Sequence, residues 1–221
     1  SHQLSQSHNA LLSVAAWVRR YRRGLRKCDL FWSWQYTGAE PSRRPASLLP
    51  LADAMVGSPL TTLRIQLPLE DALCEELAQL LPRLPALSQL SIRSSEAQQP
   101  LPPQLSLLSG LRTLSVLNLS AFSEGSWATL VAATAVTKLR IEGCDLQQLP
   151  GQLTALKRLA SLGLGDNEAL EEPTWQLLPR FKALTELRFK ECSLTALPAQ
   201  LSALTRLARL NVSWNQLPDN E

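Results

Sequence analysis

Large aliphatic residues recur along this chain as L-x-x-L-x-L, not at the three-to-four spacing of a long amphipathic helix. The pattern fits Leu60-Thr-Thr-Leu63-Arg-Ile65, Leu87-Ser-Gln-Leu90-Ser-Ile92 and Leu111-Arg-Thr-Leu114-Ser-Val116. It continues in Val136-Thr-Lys-Leu139-Arg-Ile141, Leu159-Ala-Ser-Leu162-Gly-Leu164, Leu184-Thr-Glu-Leu187-Arg-Phe189 and Leu207-Ala-Arg-Leu210-Asn-Val212. Successive units are spaced by 27, 24, 25, 23, 25 and 23 residues. Leu25-Arg-Lys-Cys28-Asp-Leu30 reads as a divergent earlier unit.

Positions four and six of each unit are two apart, so both point to one side of a short strand. A single unit cannot bury that apolar face; units stacked into a parallel sheet can. Position nine reads Cys144, Asn167, Cys192 and Asn215 in four units. The chain turns inward there, and a buried side chain must hydrogen-bond backbone or be small. Cys144 and Cys192 are therefore expected in the core, without a reactive or metal role. The returns Leu149-Pro150-Gly-Gln-Leu153-Thr-Ala-Leu156 and Leu197-Pro198-Ala-Gln-Leu201-Ser-Ala-Leu204 predict short helices or 3₁₀ turns. Residues 71–80 and 126–130 look more helical, with Trp127 and Trp175 expected to fill space behind the sheet. Strands pack about 4.8 Å apart and helices about 10 Å, so the array must curve with its strands inside.

This register, over roughly residues 60–217, resembles the leucine-rich-repeat superfamily. The L-P-x-x-L-x-x-L returns are most similar to its intracellular, plant and Ras-group type. The resemblance implies an α/β leucine-rich-repeat solenoid: a curved horseshoe, a parallel β-sheet on the concave face, and short helices or 3₁₀ turns on the convex face. It implies a non-catalytic protein–protein interaction scaffold or recognition module. Three regions are expected. Residues 1–24 are a tail and amphipathic capping helix, 25–59 a divergent first repeat with a Pro/Ser/Arg loop, and 60–221 seven repeats with the last incomplete. The array stops part-way through a unit after Asn215, which suggests a longer protein or an open end covered by a partner in a larger complex.

Positions three, five and seven point away from the core and line the concave face. There Arg64, Arg93, Lys138, Arg140, Arg188, Lys190 and Arg209 outnumber Glu142 and Glu186, with Asp166 and Glu191 nearby. The expected partner is a protein segment of acidic or mixed charge; the alternative is a solvated face of mixed charges. Ser161, Gly163 and Gly165 lack bulk, so a partner is expected to approach closely there. Trp214, at position eight of the last unit, is either a contact anchor or cover for the last strand.

The N-terminal region differs. Leu11, Val14, Ala15, Trp17, Val18 and Tyr21 fit one helix face, with Arg19, Arg20, Arg22 and Arg23 largely off it. Phe31-Trp32-Ser-Trp34-Gln-Tyr36 follows. A cap over the first repeat's core is expected, with RNA or anionic-surface binding as the alternative. A third reading is a structural subunit of a large assembly.

Charge changes this picture little. The net charge is +3, but residues 1–59 carry eight cations against three acids and the remainder 14 against 16. No run approaches the roughly 20 apolar residues of a membrane span. Nothing after Ser1 reads as a signal peptide. Cys28, Cys74, Cys144 and Cys192 form no C-x-x-C pair and no terminal cluster, which predicts a reducing, intracellular and cytoplasmic setting. The sequons at Asn118 and Asn211 weigh little against that. His2 and His8 are the only histidines, and no glycine-rich phosphate loop, G-x-S-x-G or H-E-x-x-H is present. Neither catalysis nor a cofactor or metal is expected. Glu70-Asp71, Glu75-Glu76 and Glu171-Glu172 read as solvated charge on the returns.

Overall fold

The computed structural model describes residues 15–31, 47, 49–66, 71–93, 101–119 and 122–218, with backbone alone at 30–31, 51–52 and 71–74. Leu11, Val14, both histidines, Trp32, Trp34, Tyr36, most of the Pro/Ser/Arg loop, Glu70 and the Cys74 side chain lie outside them.

Every L-x-x-L-x-L unit forms a strand. These are β1 (Lys27–Phe31), β2 (Thr62–Gln66), β3 (Gln89–Arg93), β4 (Thr113–Leu117), β5 (Lys138–Glu142), β6 (Ser161–Gly163), β7 (Glu186–Arg188) and β8 (Arg209–Asn211). They form one parallel sheet in sequence order. The pairing aligns equivalent positions: Leu63, Leu90, Leu114, Leu139, Leu162, Leu187 and Leu210 make one row. The divergent unit joins it, with Cys28 opposite Leu63. Up to Leu187 the row from Leu63 is almost wholly buried, whereas Leu210 on the edge strand is 40% exposed.

The convex side alternates. The longer units carry α-helices: α3 (Asp71–Leu80), α4 (Glu124–Ala132) and α5 (Glu172–Leu177). The shorter units carry five-residue 3₁₀ turns at Pro103–Leu107, Gly151–Ala155 and Ala199–Ala203. Shorter connections leave too little chain for a wide helical turn, and a proline precedes or opens each 3₁₀ segment with its φ preset. Helices α1 (residues 15–21) and α2 (Leu49–Met55) precede these units.

Buried hydroxyls dock thick units onto thin ones. Ser126 Oγ accepts from Leu101 N at 3.0 Å, and Thr174 Oγ1 accepts from Leu149 N at 3.1 Å. Both side chains are fully buried, and each precedes its unit's tryptophan. Trp175 is buried edge-on against Phe189, with ring centroids 5.1 Å apart. Trp127 is half-buried beside Phe122.

Position nine behaves as its chemistry requires. Asn167 Oδ1 accepts from Cys144 N and Leu146 N, while Nδ2 donates to Ile141 O, Leu164 O and Gly165 O. Asn215 repeats the set one double unit later. The Cys144 and Cys192 thiols donate to backbone carbonyls inside the core. Burial pushes both up to about 11, so they stay protonated and inert near neutral pH. The inward turn is made at position eight, where Asn118, Gly143, Asp166, Glu191 and Trp214 all have positive φ. Gly143 meets a second demand, since a Cβ there falls 2.9 Å from Asn118 Oδ1.

A further ladder runs through position two. Thr61, Ser88, Thr137 and Thr185 each donate a hydroxyl to the carbonyl of position two in the preceding unit.

Candidate functional site

The concave face divides in two. Over β5–β8 the charged side chains other than Lys138 pair with each other. Arg140 donates from Nε and Nη2 to the two Glu142 oxygens at 2.8 and 2.7 Å. Arg188 donates to Glu186 Oε1 at 3.0 and 2.6 Å, and Arg209 lies 3.8 Å from the other oxygen. Lys190 pairs with Glu191 at 2.6 Å and lies 6.0 Å from the centre of the Trp214 ring. Both acid–arginine pairs are two residues apart on one strand, hence on the same face.

These pairs set the local titration. Hydrogen bonds from Arg188 hold Glu186 below the ordinary glutamate range, against the opposing effect of burial. Partial burial and a hydrogen bond with Glu191 raise Asp166, while Lys190 lowers Glu191.

The small residues in the middle do not open the face to a partner, contrary to expectation. Ser161, Gly163 and Gly165 are buried. A Cβ on Gly163 falls 3.1 Å from Glu142 Oε1 and 3.3 Å from Arg140 Cγ, and one on Gly165 lies 3.0 Å from Lys190 O. The protein's own neighbouring strands use the space that the missing side chains leave.

Over β2–β4 the surface is different. A groove of about 380 Å³ is floored by Thr62, Gln66, Gln89, Ser91, Thr113 and Ser115. No hydrogen bond among the described residues engages these six side chains. Arg64, Arg93 and Arg140 also line it. Arg64 reaches Asp29 only at 3.7 Å, and no ion pair among the described residues holds Arg93 or Lys138. Sequence reasoning singled out the arginines here and passed over the hydroxyls and amides between them. Trp214 does not cover the last strand; it is 76% exposed.

The opposite side has its own crevice of about 550 Å³ where a thin unit lies between α4 and α5. Its walls include Trp127, Gln148, Pro150, Pro173, Gln176 and Arg180.

At the N-terminal end, Ala15 and Val18 are buried against the core. Trp17 and Tyr21 lie outside, contrary to the helix face expected for them. Small residues let the helix approach closely, and the large rings are turned out. No group of three or more metal-ligating side chains gathers among the described residues. No described helix is long and apolar enough to cross a membrane.

A parallel sheet in sequence order, an Asn/Cys ladder and helical or 3₁₀ returns define the class: the chain is a leucine-rich-repeat solenoid. Two solved structures with TM-scores above 0.5 share the fold. Toll in the Drosophila Toll–Spatzle complex is 18% identical, with a TM-score of 0.56 over 76% of this chain and 25% of that one. TLR13 in its complex with ssRNA13 is 18% identical, with a TM-score of 0.51 over 92% of this chain and 34% of that one. An internalin of Listeria monocytogenes, inlF, is 18% identical, with a TM-score of 0.46 over 78% of this chain and 52% of that one. The chain thus spans between a quarter and about half of these structures' lengths. No protein-family model matches the sequence, and no curated protein matches it.

Proposed function

We propose that this chain is a non-catalytic recognition module whose partner is a protein segment of acidic or mixed charge, bound in the concave groove over β2–β4. The observation that carries this reading is the set of six hydroxyl and amide side chains, without hydrogen bonds among the described residues, beside Arg64 and Arg93. Hydroxyls and amides offer donors and acceptors to an extended backbone. Guanidinium groups add charge-assisted bonds to carboxylates. Two fold neighbours, Toll in complex with Spatzle and TLR13 in complex with ssRNA13, are compatible with recognition on this scaffold. Fold alone does not choose the ligand.

The test is an array of immobilised acidic peptides probed with the labelled protein. Ser91→Trp fills the groove and Arg93→Glu reverses its charge; both are expected to abolish the wild-type signals. The reading falls if no peptide binds. It also falls if those variants bind normally while Trp127→Ala or Arg180→Ala, in the convex crevice, does not.

A further inference from the structure

The packing of α1 leaves its most expensive side chains in water. Ala15 and Val18 are 1% and 2% exposed and close the core, whereas Trp17 and Tyr21 are 55% and 50% exposed. Their ring centroids are 5.1 Å apart with planes tilted by 43°. The Arg20 guanidinium lies 5.8 Å from the Tyr21 centroid. Arg19, Arg22 and Arg23 are exposed beside them, and none of the ion pairs formed among the described residues includes any of these four arginines. From residue 15 to residue 28 the chain contains no acid. Among the described residues, no acid pairs with the arginines around the aromatic pair.

We infer that this surface is a binding site for single-stranded nucleic acid, separate from the concave groove. Exposed rings stack on bases of any sequence because every base has a π-face, and flanking arginines take the phosphates. A lipid surface fits less well. An interfacial helix needs a broad apolar face to insert, and the described aliphatic residues of this one, Ala15 and Val18, are already buried in the core. The site selects single strands over duplex because bases paired in a helix do not present their faces for stacking. Sequence preference is weak, since both rings stand half-exposed.

The test uses the full chain and a fluorescein-labelled 12-nucleotide oligouridylate, followed by anisotropy between about 50 and 200 mM salt. The expected result is binding that weakens steeply with salt. Trp17→Ala and Tyr21→Ala each weaken it on the order of ten-fold. The double change Arg20→Ala/Arg23→Ala lowers the log–log salt slope by about 1.4, at about 0.7 per phosphate contact on a single strand. All four positions are exposed, so unchanged melting curves check that the variants fold. Arg93→Glu, in the groove over β2–β4, leaves this binding unchanged and keeps the two sites distinguishable. Absence of binding at the lowest salt overturns the inference. So does wild-type affinity in Trp17→Ala, or binding to phosphatidylserine vesicles without binding to the oligonucleotide.

Discussion

Between β2 and β4 the concave face is floored by hydroxyls and amides with no hydrogen-bond partners among the described residues; between β5 and β8 it carries ion pairs. Both halves are built on the same buried row of leucines, so packing does not explain the difference. Its cause is local. In the second half an acid stands two residues from an arginine on one strand, as in Arg140–Glu142 and Glu186–Arg188. In the first half Arg64 and Arg93 stand two from Gln66 and Ser91. An arginine on a sheet face is thus an available charge only when its same-face neighbours are not acids. The halves also differ beneath the surface. The Asn/Cys ladder belongs to the units from Val136 onward, whereas Leu119 holds position nine in the unit before them.

The largest effect is expected from removing that ladder. Asn167→Ala strands two backbone N–H groups and three carbonyls in a fully buried turn. With each unsatisfied group costing about 1–3 kcal/mol, a loss of at least ~3 kcal/mol is expected in chemical denaturation. Hydrogen exchange is expected to locate the loosening in the second half. Asn215→Ala costs less, because water reaches its half-exposed site. Equal losses at both positions break the distinction between interior and edge.

Thr174→Val comes next. It keeps the shape of the side chain but leaves the Leu149 N–H unpaired in the core, at a cost of about 1–3 kcal/mol. If thermal melting shows no change, the hydroxyl does not dock the thick unit onto the thin one.

Glu186→Gln tests the ion-paired half directly. A cost of about 1 kcal/mol is expected at pH 7, kept small because Arg188 is 43% exposed. The sign with pH follows from the lowered pKa of Glu186. The stabilisation is fully present above the ordinary glutamate value of about 4.3 and is lost as pH falls through the lower folded value. The difference in melting temperature between wild type and variant therefore shrinks in acid. A difference that persists in acid contradicts the ion-pair origin.

The smallest effect is expected in the open half. Arg93→Ala changes stability by no more than about 0.5 kcal/mol, since no ion pair among the described residues holds it. A larger loss in urea melts means that Arg93 has a structural role and that the two halves are alike.

The register was legible because it obeys a period. Leu63 through Leu210, the inward Asn167 and Asn215, and the buried Cys144 and Cys192 follow from which side of a short strand each position faces. The alternation of helix and 3₁₀ was partly legible, since Pro150 and Pro198 mark thin units and the spacings of 27 and 25 mark thick ones. The inward face expected for Trp17 and Tyr21 failed because a helical stripe gives the apolar side but not how close the helix comes. Ala15 and Val18 make the close contact, and the rings stay half-exposed.

The sequence by itself determined the solenoid, since side-chain alternation along a strand is local geometry that repeats without reference to the rest of the chain. The same-strand pairs Arg140–Glu142 and Glu186–Arg188 follow from local spacing, whereas tertiary structure decided the contacts made across strands. Those cross-strand contacts set Glu142 and Arg140 over Gly163 and bring Arg209 to Glu186. Those contacts join residues 21–23 apart through the lateral stacking of units, a distance at which no local pattern carries information.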